Sequence, residues 1–233
     1  MADSTARSFS NYFVTGTDTG VGKTWVACAL LRSFAASGLR AVGMKPVATG
    51  CRADAPDRAN EDISMLIAAS NVRAPIELIN PYCFLPPVAP HLAAEQSATL
   101  ISFERVDECY RSLTALADRV VVEGAGGLLV PLGAEQDFAH LARHLELSIV
   151  LVVGMRLGCL NHALLTAQAV RHRGLPFAGW VANCIEADMP LFEENLQTLK
   201  RRLAAPLIGV VPFGPDQAQA CAAIDPNLLA TSA

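Results

Sequence analysis

Short apolar runs rich in β-branched residues alternate along the chain with longer segments of helical spacing. This alternation is typical of parallel strands joined by crossover helices. We predict strands at residues 12–15, 41–45, 120–123, 149–153, 179–183 and 207–211. We predict helices at residues 23–37, 102–118, 137–146, 161–173 and 190–203. The expected fold class is therefore α/β, with a mainly parallel β-sheet flanked by helices on both faces.

The segment 46–100 interrupts this alternation. Several prolines divide it into short periodic pieces, namely Pro75, Pro81, Pro86, Pro87 and Pro90. We expect an insertion at one end of the sheet, carrying a helix near residues 61–70. Because neither a repeat nor a low-complexity linker divides the chain, we predict one domain over residues 1–233, with a short, frayed polar leader at residues 1–10.

Composition narrows the classes of partner. The chain has 233 residues, of which 52% are hydrophobic and 17% charged, enough to bury one sizeable core. The net charge of -4 leaves no broad basic surface, which disfavours a nucleic-acid partner. No apolar run approaches the roughly 20 residues of a membrane helix, and the leader lacks the apolar core of a secretory signal. We therefore expect a cytoplasmic protein without a membrane partner.

Cysteine and lysine usage adds two expectations. The seven cysteines include no Cys-x-x-Cys pair, so we predict neither a disulfide framework nor a zinc site, and we expect most of them to be small buried apolar residues. The chain has fifteen arginines but only three lysines, Lys23, Lys45 and Lys200. Because the two cations are not interchangeable beside a phosphate or a reacting group, the positions of Lys23 and Lys45 indicate chemistry.

A glycine-rich loop lies between the first predicted strand and the first predicted helix. It reads Gly-Thr-Asp-Thr-Gly-Val-Gly-Lys-Thr over residues 16–24 and resembles the phosphate loop of P-loop NTPases, although the strict pattern has glycine at position 17. Gly20 and Gly22 allow backbone N–H groups to turn toward phosphate oxygens at a helix N-terminus. We expect Lys23 to reach the β- and γ-phosphates of a nucleotide and Thr24 to ligate magnesium. A glycine-rich turn that binds no ligand is the alternative.

Three acids are candidates for the carboxylates that nucleotide-bound magnesium takes from a protein. Glu123 ends a buried predicted strand and is followed by Gly-Ala-Gly-Gly, which favours close approach of a ligand over a solvated strand end. Glu61 and Asp62 begin a predicted helix, where either acid could instead complement the helix dipole. Spacing alone does not decide which of these two acids is the metal ligand. It also does not decide whether either acid binds a metal or caps the helix.

Lys45 and a histidine pair each have competing interpretations. Lys45 ends the second predicted strand at the same edge of the sheet as the phosphate loop, and the scarcity of lysine favours a functional role over an exposed strand end. His140 and His144 have the spacing of a helical metal pair. Because the sequence shows no third ligand near them, a surface pair is the favoured interpretation.

Five segments, in their order and separations, resemble the dethiobiotin synthetase family. They lie at residues 16–24, 45–50 (Lys-Pro-Val-Ala-Thr-Gly), 123–127 (Glu-Gly-Ala-Gly-Gly), 157–163 (Leu-Gly-Cys-Leu-Asn-His-Ala) and 179–183 (Gly-Trp-Val-Ala-Asn). The last two have no role in a generic phosphate-loop protein. The resemblance extends over nearly the whole chain and implies a single-domain P-loop NTPase-like fold.

The resemblance implies a homodimeric ligase that forms C–N bonds. With ATP and Mg²⁺, such an enzyme converts 7,8-diaminononanoate and CO₂ into dethiobiotin, ADP and phosphate. One amine takes up CO₂ as a carbamate, the carbamate attacks the γ-phosphate, and the second amine displaces phosphate to close a cyclic urea. These steps ask the protein for positioning and charge stabilisation rather than for a nucleophile.

The resemblance also implies a role for individual residues. The catalytic residues are Lys45 and Lys23, and Mg²⁺ is held by Thr24, Asp62 and Glu123, so that similarity alone selects Asp62 over Glu61. The implied nucleotide-binding residues are Thr19, Gly20, Val21, Gly22, Lys23, Thr24, Trp25, Asp62, Glu123, Gly124, Ala125, Gly126, Asn183, Cys184, Pro212, Phe213 and Gly214. The implied diamine-binding residues are Thr17, Lys45, Thr49 and Gly126, with Gly158, Cys159, Leu160 and Asn161 receiving the substrate carboxylate across the dimer interface.

Three residues depart from the family pattern. Gly20 replaces a larger, often acidic residue, Thr49 stands where serine is usual, and Cys184 stands where an acid is common. The methyl group that Thr49 adds would crowd the diamine. The thiol of Cys184 in place of an acid puts in doubt a strict selectivity for adenine over other bases.

Three other classes of protein compete with this interpretation. A partition or septum-positioning ATPase carries a signature lysine where this chain has Asp18. An amidotransferase-linked cobyrinate synthetase needs a glutamine-hydrolysing domain, for which 233 residues leave no room. A nucleotide-binding module without activity has no need of Lys23, Lys45 and Glu123.

Overall fold

The computed structural model describes residues 11–52, 60–214 and 216–230, so the predicted leader at residues 1–10 lies outside the described residues. The strands are β1 Tyr12–Gly16, β2 Ala41–Met44, β3 Val47–Thr49, β4 Tyr82–Phe84, β5 Arg119–Gly127, β6 Ser148–Met155, β7 Phe177–Cys184 and β8 Leu207–Val211. The α-helices are α1 Lys23–Ala36, α2 Glu61–Ala69, α3 Ile76–Ile79, α4 Pro90–Gln96, α5 Phe103–Leu116, α6 Phe138–His144, α7 Cys159–His172, α8 Phe192–Arg202 and α9 Gln217–Ala222. A 3-10 helix follows at Pro226–Leu228.

The six predicted strands form one sheet in the order β2-β5-β1-β6-β7-β8. Every pairing in this sheet is parallel, which confirms the predicted fold class. β1 lies at the centre, between β5 and β6. The loops that follow β1, β2 and β5 therefore meet at the carboxyl edge of the sheet, where open α/β sheets bind ligands.

Side chains along a β-strand point alternately to the two faces of the sheet, so neighbouring residues of each strand enter cores on opposite faces. Phe13 packs in a core with Leu113 of α5, whereas Val14 packs in a second core with Leu30 of α1 and Leu66 of α2. A third core joins β6 and β7 to α7 and α8. Helices therefore cover both faces, which is the condition for burying a parallel sheet.

The segment 46–100 has more regular structure than the sequence predicted. The expected helix near residues 61–70 is present as α2, which packs on α1 and β2. The segment also contains α3, α4 and the parallel pair of β3 and β4, which forms a separate two-stranded sheet. The proline-rich pieces were too short to predict individually. The assignment of the whole chain to one domain stays a prediction.

The cysteine prediction is wrong for one pair, because Cys51 and Cys83 form a disulfide. Their sequence separation of 32 residues gives no local signal. The parallel pairing of β3 and β4 brings them together, and it extends beyond β3 through a hydrogen bond from the Cys51 N–H to the Phe84 carbonyl. Of the free cysteines, those buried as predicted are Cys28, Cys109 and Cys159, and those half-buried are Cys184 and Cys221.

The C-terminal region contains elements that the sequence did not predict. The short helix α9 packs on α1, and Ile224 and Leu229 enter the same core as α1. The helix α7 begins at Cys159, two residues before the predicted start. None of the described helices is long and apolar enough to cross a membrane.

Candidate active site

The phosphate loop, residues 16–24, connects β1 to α1 at the carboxyl edge of the sheet. Gly22 is the N-cap of α1 with a φ of 86°, in the left-handed region, and Gly20 has a φ of 75°. Because a glycine N-cap has no side chain to accept hydrogen bonds, the first N–H groups of α1 remain available for an anion. The strand, loop and helix therefore follow the predicted arrangement.

Lys23 is the first residue of α1 and is only 7% exposed. Its Nζ donates a hydrogen bond to the main-chain oxygen of Asp18 at 3.0 Å. Burial lowers the pKa of Lys23, and the charge of Glu123 offsets part of this effect. A phosphate group would relieve the same burial penalty, because it would place a negative charge beside the ammonium.

Four predicted residues form what we call the acid–lysine cluster: Thr24, Lys45, Asp62 and Glu123. Lys45 Nζ donates to Glu123 Oε1 at 2.7 Å and to Asp62 Oδ2 at 2.5 Å. Thr24 Oγ1 lies 2.8 Å from Asp62 Oδ1 and 2.9 Å from Glu123 Oε1, and its one proton can be donated to only one of the two acids at a time. Tertiary structure thus joins residues from four separate segments of the chain.

The charges of the cluster depend on one another. Burial acts to lower the pKa of Lys45, but the negative charges of Glu123 and Asp62 outweigh it and raise that pKa. Burial acts to raise the pKa of Asp62, but the charge of Lys45 and the hydrogen bonds from Lys45 and Thr24 outweigh it and lower that pKa. Lys45 is therefore a cation and Asp62 an anion at neutral pH.

The cluster fits a magnesium ion. Glu123 is 1% exposed, and its Oε2 has no hydrogen-bond partner among the described residues. A buried carboxylate oxygen without a partner is unfavourable unless a cation pairs with it. A hydroxyl and two carboxylates are the hard oxygen ligands that Mg²⁺ prefers, and Mg²⁺ needs few of them from the protein. The residues that would hold it are Thr24, Asp62 and Glu123.

Glu61 and Asp62 have different surroundings. Both lie in the first turn of α2, but Glu61 is exposed whereas Asp62 contacts Lys45 and Thr24. An exposed acid in the first turn complements the helix dipole. Asp62 is therefore the acid that the fold directs into the cluster.

The sequence predicted that Glu123 ends its strand, but the strand continues past it. β5 continues to Gly127, which pairs with Gly16 of β1 beyond a local irregularity in the register. The glycine-rich residues after Glu123 therefore remain in the sheet, where Gly126 has a φ of 69°. Ala125 and Gly126 line the cleft described below, and the close approach of a ligand to them stays a prediction.

A cleft of about 740 Å³, called the main cleft, is lined by half of the predicted site residues. Those that line it are Thr19, Gly20, Gly22, Lys23, Thr24, Trp25, Lys45, Thr49, Asp62, Glu123, Ala125 and Gly126. Pro87 and Val88 of the segment 46–100 form part of its wall. The phosphate loop and the acid–lysine cluster therefore open into one space.

The predicted base-binding residues lie together beside the phosphate loop. Asn183, at 7% exposure, donates its Nδ2 to the Val21 carbonyl at 2.8 Å. Val211, the last residue of β8, pairs with Asn183 of the parallel strand β7. The exposed residues 212–214 therefore follow at the same carboxyl edge of the sheet. Cys184 is half-buried next to Asn183. Asn183 uses one of the two N–H donors of Nδ2 on the loop, so its second N–H and its Oδ1 remain available to another partner.

Two predicted substrate regions lie away from the main cleft. Thr17 borders a second cavity of about 350 Å³, together with Gly127 and Leu165. Gly158 is the N-cap of α7 with a φ of 96°, and Leu157 beside it is 97% exposed. The turn at residues 158–161 does not line the main cleft.

Two asparagines that position the cluster were missed at the sequence level. Asn80 is 4% exposed and donates its Nδ2 to the main-chain oxygen of Lys45 at 2.6 Å. Asn60 accepts a hydrogen bond from the Asp62 N–H and donates to the Thr49 carbonyl at 3.2 Å. A polar residue before a helix is a capping signal for Asn60. Asn80 has no such signal, because its partners are set by the fold.

The histidine pair has local structural contacts. His140 Nδ1 accepts from the Asp137 N–H at 3.3 Å in the cap of α6, and the His144 ring packs against Phe103. Within residues 11–52, 60–214 and 216–230, no three side chains of the types His, Cys, Asp and Glu come together as metal ligands, so the histidine pair has no third ligand of these types. The magnesium set described above differs in having two acids and a threonine.

The fold and the site together define a P-loop nucleotide-binding protein. A family model described as an AAA domain matches residues 10–220. The solved structure of the MinD cell division protein of Aquifex aeolicus superposes with a TM-score of 0.55, covering 91% of this chain and 86% of that chain. Their sequence identity is 13%, so this similarity shows the fold alone.

Curated relatives identify the family within this class. The ATP-dependent dethiobiotin synthetase BioD of Nitrosospira multiformis is 53% identical over 202 residues, 87% of this chain and 88% of that protein. The protein of the same name from Aromatoleum aromaticum is 51% identical over 215 residues, 91% of this chain and 96% of that protein. The chain belongs to the ATP-dependent dethiobiotin synthetase family.

Proposed function

We propose that the chain is an ATP-dependent ligase that closes the urea ring of dethiobiotin from 7,8-diaminononanoate and CO₂. The observation that supports this most directly is the acid–lysine cluster beside the phosphate loop. Family membership supports the substrate pair. The alternative, a partition or septum-positioning ATPase, is not favoured, because Asp18 stands at the position of its signature lysine.

The proposed reaction has three steps. One substrate amine adds to CO₂ and loses a proton to give a carbamate. The carbamate oxygen attacks the γ-phosphorus of the co-substrate ATP, which forms a carbamic-phosphoric anhydride and releases ADP. The second amine attacks the carbamate carbon, and the C–O bond to phosphate breaks as the five-membered urea closes.

Each step develops negative charge on oxygen, which this chain meets with two buried lysines. Lys45 stabilises the carbamate and the transferring phosphoryl group, and Lys23 stabilises the γ-phosphate. Bound Mg²⁺, held by Thr24, Asp62 and Glu123, would neutralise phosphate charge. Asn80 and Asn60 hold the backbone of Lys45 and Asp62 in place, so little reorganisation is needed.

The remaining residues divide into a nucleotide set and a diamine set. The nucleotide set is Thr19 to Trp25, Asp62, Glu123 to Gly126, Asn183 and Cys184 with residues 212–214. The diamine set in the same protomer is Thr17, Lys45, Thr49 and Gly126. A homodimer completes the site, since the turn at residues 158–161 would present N–H groups at the start of α7 to the substrate carboxylate of the partner protomer. We place this activity in the cytoplasm and in one P-loop domain.

Phosphate release tests the proposed function. Purified protein with ATP, Mg²⁺ and bicarbonate is assayed with and without 7,8-diaminononanoate, and the product mass is measured. We expect release that depends on the diamine and a product heavier than it by one carbonyl group less two hydrogens. Release that is indifferent to the diamine contradicts the proposal and favours the ATPase class.

The two neighbouring acids of α2 give a matched test of the metal site. We expect Asp62→Asn to raise the Mg²⁺ concentration for half-maximal phosphate release by tenfold or more, which corresponds to about 1.4 kcal/mol, because the amide has lost the negative charge that attracts the ion. Glu61→Gln should leave it within about twofold, because the exposed Glu61 side chain lines the same cleft but makes no hydrogen bond or ion pair with the cluster. Equal shifts in the two variants would show that Asp62 has no particular metal role.

A further inference from the structure

An ion pair joins the phosphate loop to the loop after the neighbouring strand β6. Arg156 Nη2 donates to Asp18 Oδ2 at 2.6 Å across 138 residues of sequence. β1 and β6 are adjacent parallel strands, and the Thr17 N–H donates to the Val152 carbonyl, so the two loops begin side by side. The pair therefore spans the space between them at the carboxyl edge of the sheet.

Asp18 determines the shape of the phosphate loop through three atoms. Its Oδ1 accepts from the Thr19 N–H at 2.7 Å, its Oδ2 accepts from Arg156, and its main-chain oxygen accepts from Lys23 Nζ at 3.0 Å. The carboxylate is thus bonded to the loop backbone and to Arg156, while the main-chain oxygen of the same residue accepts from Lys23. The same carboxylate places a negative charge in a loop that has to bind an anion, which opposes nucleotide binding.

Stability alone does not account for this ion pair. The Arg156 and Asp18 side chains are 38% and 45% exposed, and pairs so exposed contribute only about 0–1 kcal/mol to folding. Arg40 and Asp118 form a similarly exposed pair at the opposite edge of the sheet, with a distance of 2.7 Å. The difference between the two pairs is that only Asp18 lies in the phosphate loop.

Arg156 also takes part in the turn that begins α7. Its main-chain oxygen accepts from the Cys159 N–H at 3.0 Å, and Gly158 is the N-cap of that helix. The residue thus has a fixed backbone from which its side chain reaches the phosphate loop. This placement suits a side chain that holds another group in position.

We propose that Arg156 is a positioning residue for nucleotide binding: it neutralises Asp18 and holds the phosphate loop in its anion-binding shape. This inference rests on the proposed function, because it assumes that the loop binds ATP. Arg156 acts through Asp18 and not by contact with the phosphates. Removing Arg156 therefore weakens nucleotide binding, and removing the charge of Asp18 as well restores it.

Direct binding of a non-hydrolysable ATP analogue with Mg²⁺, without diamine, tests this inference. We expect Arg156→Met to raise the Kd three- to tenfold, and the addition of Asp18→Asn to Arg156→Met to recover most of the loss, with Asp18→Asn alone as the reference for the double variant. Arg156→Lys should also recover most of it. In steady-state kinetics, Arg156→Met should raise KM for ATP, while its kcat at saturating ATP should stay within about twofold of the wild-type value. Arg40→Met is the control and should leave nucleotide affinity unchanged.

Two outcomes overturn the inference while leaving the proposed function intact. In the first, Arg156→Met binds the analogue as wild-type protein does and loses only thermal stability, as Arg40→Met would. In the second, the double variant binds as weakly as Arg156→Met, which shows that Arg156 does not act through Asp18. Failure of the wild-type protein itself to bind the analogue would instead remove the proposed function and the inference together.

Discussion

Replacing Lys45 by alanine should lower kcat by a factor of about 100 to 1,000, the usual effect of removing one preorganised charge from a transition state. The dissociation constant for Mg²⁺ and an ATP analogue should change by less than about threefold. Lys45 stabilises charge that develops on the carbamate and the transferring phosphoryl group, which is absent from the ground state. The measurement is steady-state kinetics beside direct nucleotide binding.

The variant also perturbs the cluster, and controls separate this effect. Without Lys45, the carboxylate of Glu123 is buried without its cationic partner, and removing one member of a buried pair costs about 3–5 kcal/mol. Lys45→Met retains the aliphatic stem and checks that the fold survives. Lys200→Ala, in the exposed last turn of α8, is the matched lysine control and should leave kcat and affinity unchanged. Equal losses of kcat and nucleotide affinity at Lys45 would contradict the assigned role.

Gly22→Ala should weaken nucleotide binding by about 30-fold or more. The residue has a φ of 86°, which disfavours any L side chain, and an added Cβ would collide with the Asn183 amide nitrogen. That amide donates to the Val21 carbonyl, so relief of the collision breaks a buried hydrogen bond of the phosphate loop. Strain of about 1–3 kcal/mol and a lost hydrogen bond of about 1 kcal/mol together give this magnitude. Titration with an ATP analogue measures it.

Gly20→Ala is the matched control for this prediction. Gly20 has a similar φ of 75°, but an added Cβ meets nothing within 4 Å. Its cost is therefore the backbone strain alone, and we expect a smaller loss of affinity than at Gly22. In an Asn183→Ala background, Gly22→Ala should cost less than in the wild-type protein, because the collision is gone. An equal loss at both glycines would show that the collision with Asn183 is irrelevant.

Much of the fold could be predicted because it depends on local pattern. The apolar runs and the helical spacing between them predicted all six strands of the main sheet, since burial on both faces demands such runs wherever they lie in the chain. The boundaries were less accurate where pairing decided them, as in β5, which continues past Glu123 because β1 lies beside it. The pair of β3 and β4 was not predictable, because three-residue strands give too little pattern.

The sequence by itself determined the chemistry available to this protein: a phosphate loop, one lysine at the start of the first predicted helix and another at a predicted strand end, and acids of the kind that hold magnesium. It could not choose Asp62 over Glu61 from spacing, and it gave no sign of Asn80 or of the contact between Cys51 and Cys83. Only the tertiary structure decided these, because each depends on which atoms of distant segments meet at the sheet edge or across β3 and β4. Local pattern fixes the kind of element, whereas the direction of a side chain into a shared site is a property of the packed fold.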